Sequence, residues 1–337
     1  MIKYLVLITI SLIQICSAVA QNANLKYPYK FKSKGNPFVE YMYTADPTAR
    51  VFNDTLYVYP SHDRDTATWF TMDDWHVLST TNLRNWTDHG ISFKLSDIKW
   101  AKKYAWAPDC VFKNGKYYFY YPTDKDYIGV AVGNTPYGPF TDPLDQPLIN
   151  RSTKGVVSNP DLIDPNVFID DDGSAYLFFG QNDVNMVKLN DDMISFSDTV
   201  RILKGTDGFF EAVWMHKYKG KYYLSYSGSK SGRKKIQYCM SDSPYGPFEF
   251  KGDILRPMNS CTNHHSIVEY KNQWYLFYHN SDLYFERNPN EIPECNWSKA
   301  SPFRRSICVD KLYYNPDGTI QEVIPTKEGV SKISKKN

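Results

Sequence analysis

The chain has 337 residues, 42% apolar and 23% charged, with 39 basic against 37 acidic side chains for a formal net charge of +2. That length and apolar content can bury a large core. The near-neutral balance, with no basic run set in a binding motif, argues against a nucleic-acid or membrane-surface partner. Aromatics are heavy, at 27 Tyr, 19 Phe and 8 Trp, a usage that suits strand faces and sites where rings stack on the apolar faces of sugars.

Residues 1–20, "MIKYLVLITISLIQICSAVA", set Lys3 before an apolar run too short to span a bilayer comfortably, with Ala18 and Ala20 spaced as a small-residue cleavage site. This reads as a secretory signal peptide and places the mature chain outside the cell or in a periplasm. Ile15 is bulky for the position before a lipid-attachment cysteine, which argues against Cys16 as a lipoprotein anchor. No later stretch is apolar enough to cross a membrane. Past the cut remain Cys110, Cys239, Cys261, Cys295 and Cys308, an odd number without a CxxC pair. They suggest neither a disulfide framework nor a zinc site, while leaving room for one bridge such as Cys295 to Cys308.

From residue 25 to 337 no Pro, Gly or Ser-rich linker separates two units, so the remainder reads as one domain. Helical periodicity is nearly absent, and short strands recur between Gly, Pro, Asn and Asp turns. One pattern of apolar pair, turn and aromatic strand appears five times: "ARVFNDTLYVYP", "DCVFKNGKYYFYYP", "PNVFIDDDGSAYLFFG", "AVWMHKYKGKYYLSYS" and "SIVEYKNQWYLFYH". Each is a hairpin. "TPYGPF" at 135–140 returns as "SPYGPF" at 243–248, so each unit looks like an inner hairpin followed by an outer one. Five four-stranded units predict an all-β, five-bladed β-propeller. A β-sandwich would explain the alternation but not the fivefold period. The C-terminal "SICVDKLYYNPDGTIQEVIPT" is expected to close the ring by pairing with the first blade, and "KISKKN" reads as a solvated end.

Asp46 stands before Pro47 at the head of the first hairpin, where pre-proline sterics predict extended backbone with the carboxylate free of the ladder. Aligning the hairpins on their aromatic strands puts Asp46, Asp164, Glu211 and His264 at matching places, with Ala107 and the adjacent Trp106 in the second unit. In a propeller those positions converge on one axial pocket. Three carboxylates gathered there raise one another's pKa at a cost in stability. Glycosidic hydrolysis needs that arrangement, with one protonated acid for the leaving oxygen and one ionised carboxylate for water.

"TADPTARVF", "LIDPNVFIDDDG", "GFFEAVW" and "TNHHSIVEY", with "WAPDCVFKNGKYYFYYP" between them, resemble glycoside hydrolase family 43 in order and spacing over nearly the whole mature chain. The family is known as five-bladed propellers that cleave arabinose- and xylose-containing glycans with inversion. The resemblance implies Asp46 as general base, Glu211 as general acid and Asp164 as the group that tunes and orients Glu211. It implies an arginine in the deepest sugar subsite, Arg305 or its neighbour Arg304. It also implies a structural calcium ion or a water cluster in the central channel beside His264, although one imidazole is a poor start for an ion that takes six or more oxygens. No cofactor is required for the chemistry.

Trp106, Phe210, Trp69 and Trp75 are candidates to stack on sugar, and His62 and Asp63 candidates to border the pocket. Asp170, Asp171 and Asp172 lack calcium-loop spacing and read as a hairpin turn. The leading expectation is a secreted or periplasmic, exo-acting α-L-arabinofuranosidase on arabinan, arabinoxylan or similar glycans. A β-xylosidase and an arabinanase are the alternatives within the family, and a non-catalytic sugar-binding propeller is the alternative outside it.

Overall fold

In a computed structural model that describes residues 25–230 and 235–333, the aromatic runs pair as antiparallel hairpins and five sheets form a five-bladed β-propeller. The signal peptide read over residues 1–20, with Cys16, lies outside the described residues, as does the end of the basic tail. Blade 1 holds β1 (Tyr29–Lys32), β2 (Tyr43–Phe52), β3 (Thr55–Asp63), β4 (Asp74–Thr80) and β5 (Asn85–Lys94). Blade 2 holds β6 (Asp109–Lys113), β7 (Lys116–Thr123), β8 (Tyr127–Gly133) and β9 (Ile149–Asn150), and blade 3 holds β10 (Asn166–Ile169), β11 (Ala175–Phe179), β12 (Asn185–Lys188) and β13 (Arg201–Ile202). Blade 4 holds β14 (Phe209–Tyr218), β15 (Lys221–Gly228), β16 (Lys235–Ser241) and β17 (Glu249–Leu255). Blade 5 holds β18 (His265–Tyr270), β19 (Gln273–Asn280) and β20 (Ser306–Leu312), with the short helix α1 (Asp282–Arg287) between the last two.

The blades are less uniform than the repeat predicts. β1 adds a fifth strand to the outer edge of blade 1, and blade 5 has three strands. The final strand, β20, pairs with β19 instead of closing the ring on blade 1. Its links to the N-terminal side include Phe38 N–H to the Ile307 carbonyl and the Asn36 side chain, which accepts from the Val309 N–H and donates to the Val309 carbonyl, while Thr44 N–H reaches the carbonyl of Arg305 just before the strand. The C-terminal run was too short on outer-strand signal to reveal that it completes its own hairpin.

Four inner hairpins turn through two residues with positive φ: Asn53 and Asp54, Asn114 and Gly115, Lys219 and Gly220, and Lys271 and Asn272. Such turns match strand twist and set one register in each blade. Adjacent sheets then bury their aromatic faces on each other. Trp75, Phe93, Phe119 and Tyr121 fill the space between blades 1 and 2, and Phe178, Met186, Met215 and Tyr226 that between blades 3 and 4. Each such side chain stabilises by about 1.5–3 kcal/mol on burial.

At the axis the inner strands are linked by side chains. Arg50 of β2 donates from Nε and Nη2 to the Asp109 carboxylate of β6, and from Nη2 to the Val167 carbonyl of β10. Asp109 also accepts from Asn166 Nδ2 at 3.1 Å and from the Val167 N–H at 2.6 Å. Asn166 accepts from the Met215 N–H of β14. The Arg50 guanidinium lies 4.4 Å from the centre of the Trp214 ring, whose Nε1–H reaches the Ile267 carbonyl of β18. Ser266 returns the circuit to blade 1 by donating to the Pro47 carbonyl and accepting from the Ala49 N–H. Replacing Asp109 by Ala strands the mostly buried Arg50, so Asp109→Ala is expected to cost about 3–5 kcal/mol in denaturant unfolding. A loss below about 1 kcal/mol would show that the axis holds without the pair.

Candidate active site

The three acids sit where strand pairing breaks. A register shift in β2 between Ala45 and Thr48 releases Asp46 and Pro47 from the ladder. Asp46 has φ 50°, not the extended backbone expected before a proline. Proline bars right-handed helical geometry from the preceding residue, and aspartate tolerates the left-handed region that the bulge needs. Asp164, before Pro165, shares the positive φ, at 56°, but stands two residues ahead of β10, and Glu211 lies between two register shifts in β14 with Ala212 at φ 62°. Left-handed backbone at such residues costs on the order of 1 kcal/mol each. In return the breaks aim all three carboxylates at the axis.

Asp46, Asp164, Glu211 and His264 line one pocket of about 210 Å³ together with Arg305, Trp106 and Phe210. Its floor is buried and polar. Arg305, 3% exposed, gives Nη1 to Asp46 Oδ1 at 2.9 Å and holds Asp63 through Nε at 3.0 Å and Nη2 at 2.9 Å. Ser61 Oγ donates to the other Asp46 oxygen at 2.7 Å. Asp164 Oδ2 accepts from the Ala212 N–H at 2.8 Å, and Gln181 Nε2 donates to Glu211 Oε2 at 2.9 Å.

The rim is aromatic. Trp69 and Trp297 line the mouth and are 46% and 54% exposed, with Phe70 beside them. Trp106 is held by its Nε1–H on the Phe70 carbonyl. Lys125 stands 5.5 Å from the Trp106 ring centre and 3.3 Å from Asp161.

Several expectations change here. Trp75 is not a stacking surface: it is fully buried, and its Nε1–H supports the Trp106 carbonyl. His62 and Asp63 do not border the pocket, because His62 turns to Asp74 and Asp63 is buried behind Arg305. Arg304 bonds the Ala67 carbonyl and lies outside the pocket, leaving Arg305 as the arginine within it. The bridge joins Cys261 to Cys295, while Cys308 is a buried thiol in β20. Strand pairing seals Cys308 in the core of blade 5, whereas Cys261 and Cys295 lie in neighbouring loops. Gln181, Phe70 and Trp297 went unrecognised. Phe70 follows Trp69 directly, the one hint available, but Gln181 and Trp297 occupy loops without periodicity.

The sequence profile described as glycosyl hydrolases family 43 matches residues 34–320. The chain belongs to glycosyl hydrolases family 43. It is 40% identical to the xylosidase/arabinosidase 43A of Humicola insolens, over 84% of this chain and 98% of that protein. It is 37% identical to a Bacteroides ovatus xylosidase/arabinosidase, over 82% and 94%. Among solved structures, an α-L-arabinofuranosidase from Clostridium thermocellum superposes with a TM-score of 0.72 at 43% identity, covering 85% of this chain and 95% of that one. A β-xylosidase/α-arabinofuranosidase from a compost metagenome, in complex with xylotriose, gives 0.74 at 37% identity, covering 87% and 98%. Family membership makes the chain a glycoside hydrolase and removes the basis for a non-catalytic propeller.

Electrostatics separate the acids of this family 43 enzyme. Burial alone would raise the Asp46 carboxyl, but the Arg305 charge together with His279 and His264 outweighs it and holds Asp46 well below the usual carboxylate range. Burial, then the charges of Glu211 and Asp46, push Asp164 far above that range. Asp164 therefore holds its proton more tightly than an ordinary carboxyl and titrates together with its neighbour. Burial pushes His264 down to about 4 against the pull of Asp46, so it is neutral. Its Nδ1, 3.8 Å from Asp46 and 3.7 Å from Asp164, makes no ion pair.

Among the described residues no group of three ligand atoms converges at His264. The carboxylates beside it are engaged by Arg305, Ser61 and the Ala212 N–H. These residues do not form a calcium cage, and no chemical step is assigned to an ion there.

An acid whose pKa is raised by folding binds its proton more tightly in the native state. Stability tied to Asp164 is therefore intact below the unfolded value near 4 and is lost as pH climbs toward the raised one. Asparagine keeps an acceptor for the Ala212 N–H without the charge. Asp164→Asn is expected to raise Tm near pH 7 by at least about 2 °C, with the gain vanishing toward pH 4 while activity falls. Thermal unfolding across pH checks this, and a variant less stable than wild type at pH 7 would contradict it.

Proposed function

We propose that this family 43 enzyme is an exo-acting α-L-arabinofuranosidase that removes terminal residues from arabinose-containing plant glycans with inversion. The observation that carries the reading is the closed floor: Arg305 and Asp46 end the pocket, and the Arg50–Asp109 cluster and Trp214 fill the axis among the inner strands. A glycan enters a blind pocket by its end, with the terminal sugar against the floor and the next unit among the rim aromatics. The names of the relatives support a second sugar in the same pocket, terminal β-D-xylose, since two of them carry both activities in their names and one neighbour was solved with xylotriose. Export is part of the proposal, from the leader pattern and from a disulfide that an oxidising compartment sustains.

Asp46 is the general base. Arg305 keeps it ionised, and each carboxylate oxygen retains lone-pair capacity beyond the bond from Arg305 or Ser61. It takes a proton from water as the water oxygen bonds the anomeric carbon and the glycosidic C–O bond breaks. Glu211 is the general acid. It carries the proton to the departing oxygen, and Gln181 holds its carboxyl by donating to Oε2. Asp164 shares that proton and orients Glu211 through its bond to the Ala212 N–H, one residue along the chain.

A general acid is needed in proportion to how poor the leaving group is, whereas the base is needed for every substrate. Glu211→Gln is expected to lose about 10² to 10⁴-fold in kcat/KM on an arabino-oligosaccharide and much less on an activated aryl α-L-arabinofuranoside, while Asp46→Asn loses that much on both. Equal losses for Glu211→Gln on the two substrates would exchange or remove the assigned roles. Assays on the aryl arabinofuranoside and an aryl β-D-xyloside rank the sugars, and NMR of the first-formed anomer reads the stereochemistry.

A further inference from the structure

Apart from the pocket, the middle strands of blade 1 gather a second set of donors. His62 of β3 and Asp74 and His76 of β4 each offer one ligand atom, all within 4.8 Å of one another, and none of the three lines the pocket. His62 Nδ1 is 2.7 Å from Asp74 Oδ1, and His76 Nε2 is 3.8 Å from the same oxygen. The two imidazoles meet edge-on with centroids 4.8 Å apart.

The other side of His76 is what makes this more than a hydrogen-bonded pair. Its Nδ1 lies 3.1 Å from both oxygens of Asp88. Asp88 is fully buried and is itself fixed by the Tyr41 hydroxyl and the Gly90 N–H, each at 2.8 Å. Asp88 thus engages Nδ1, which turns Nε2 toward the Asp74 oxygen. His76 is 3% exposed there. A cation placed between Nε2 and the Asp74 oxygen would be bound by both, with His62 beside them. A carboxylate behind a histidine is also how proteins orient a metal-ligating imidazole.

We propose that His62, Asp74 and His76 form a binding site for a zinc-type divalent ion, with Asp88 as its outer support and water in the open position. Two imidazole nitrogens and one carboxylate oxygen suit zinc, whereas calcium takes six or more oxygens. Tetrahedral bonds of about 2.0–2.1 Å put neighbouring ligand atoms roughly 3.3 Å apart, between the two distances found here. The ion fastens β3 to β4 one residue before Asp63, the carboxylate that clamps Arg305. It is a brace for the pocket floor and takes no part in the bond cleavage.

The test uses untagged full-length protein stripped of metal and titrated calorimetrically with zinc chloride, with calcium chloride as the control ion. One equivalent of zinc is expected to bind at micromolar concentration or tighter, unaffected by calcium. His62→Gln and His76→Gln should each weaken it at least tenfold, and Asp88→Asn by about 10 to 100-fold. Anomalous diffraction at the zinc edge should place the ion between His62 and His76. If His76→Gln fails to fold, His62→Gln carries the test, since the His62 side chain is 27% exposed and tolerates exchange. Absence of stoichiometric zinc binding in the wild type would overturn the proposal, because a proton then fills the gap. Zinc binding kept intact by both histidine variants would overturn it equally.

Discussion

Five sheets that meet edge-on at an axis leave five inner strands with an unpaired edge, and the polar atoms of those edges have to be satisfied by something other than a sixth strand. The Arg50–Asp109 pair answers that constraint. One carboxylate takes the guanidinium, the Asn166 amide and the Val167 and Cys110 N–H groups, while the guanidinium stacks on Trp214. A buried ion pair is worth little when half satisfied and a great deal when every donor and acceptor is used. Here strands from blades 1, 2 and 3 bond directly to one pair, and Trp214 and Ser266 carry the connection through blades 4 and 5.

That anchored axis is what lets the layer above it be unfavourable. Three carboxylates, two of them on left-handed backbone, stand in one buried pocket, and no local gain offsets their repulsion except Arg305 and a few directed hydrogen bonds. Chemistry and stability are therefore divided along the same axis, with the satisfied charge pair in one layer and the strained acids in the next. The acids come from inner strands or the residues just before them. The aromatic rim, Trp69, Phe70, Trp106 and Trp297, comes from the connections between strands. Sugar preference can drift with those connections while the reacting geometry stays put.

What could be read in the sequence follows from locality. Positive-φ turns such as Asn114–Gly115 and alternating aromatics are short-range signals, and their fivefold repetition was enough to recover the propeller and to bring Asp46, Asp164, Glu211 and His264 into register. The clamp of Asp63 on Arg305 and the bond of Gln181 to Glu211 were out of reach because each joins residues far apart along the chain. The extended geometry expected of Asp46 failed because a bulge, a feature of two strands together, overrode the preference of one dipeptide. The three-stranded fifth blade and the return of β1 to the outer edge of blade 1 likewise depend on which edge is left open once the other strands have paired.

The Cys261–Cys295 bridge lies wholly outside the strands. Cys261 precedes the Thr262–His264 stretch that lines the pocket, and Cys295 stands two residues before Trp297. The cysteines within strands, Cys110, Cys239 and Cys308, are buried thiols. Tying ends 34 residues apart limits the unfolded chain by about 4 kcal/mol in the loop-entropy picture, yet no sheet needs the bond in order to pair. Assembly of this enzyme therefore has two separable stages. The strands can find their partners without the bond, and what its closure holds in place is the pair of loops that bring Thr262, His264 and Trp297 to the pocket.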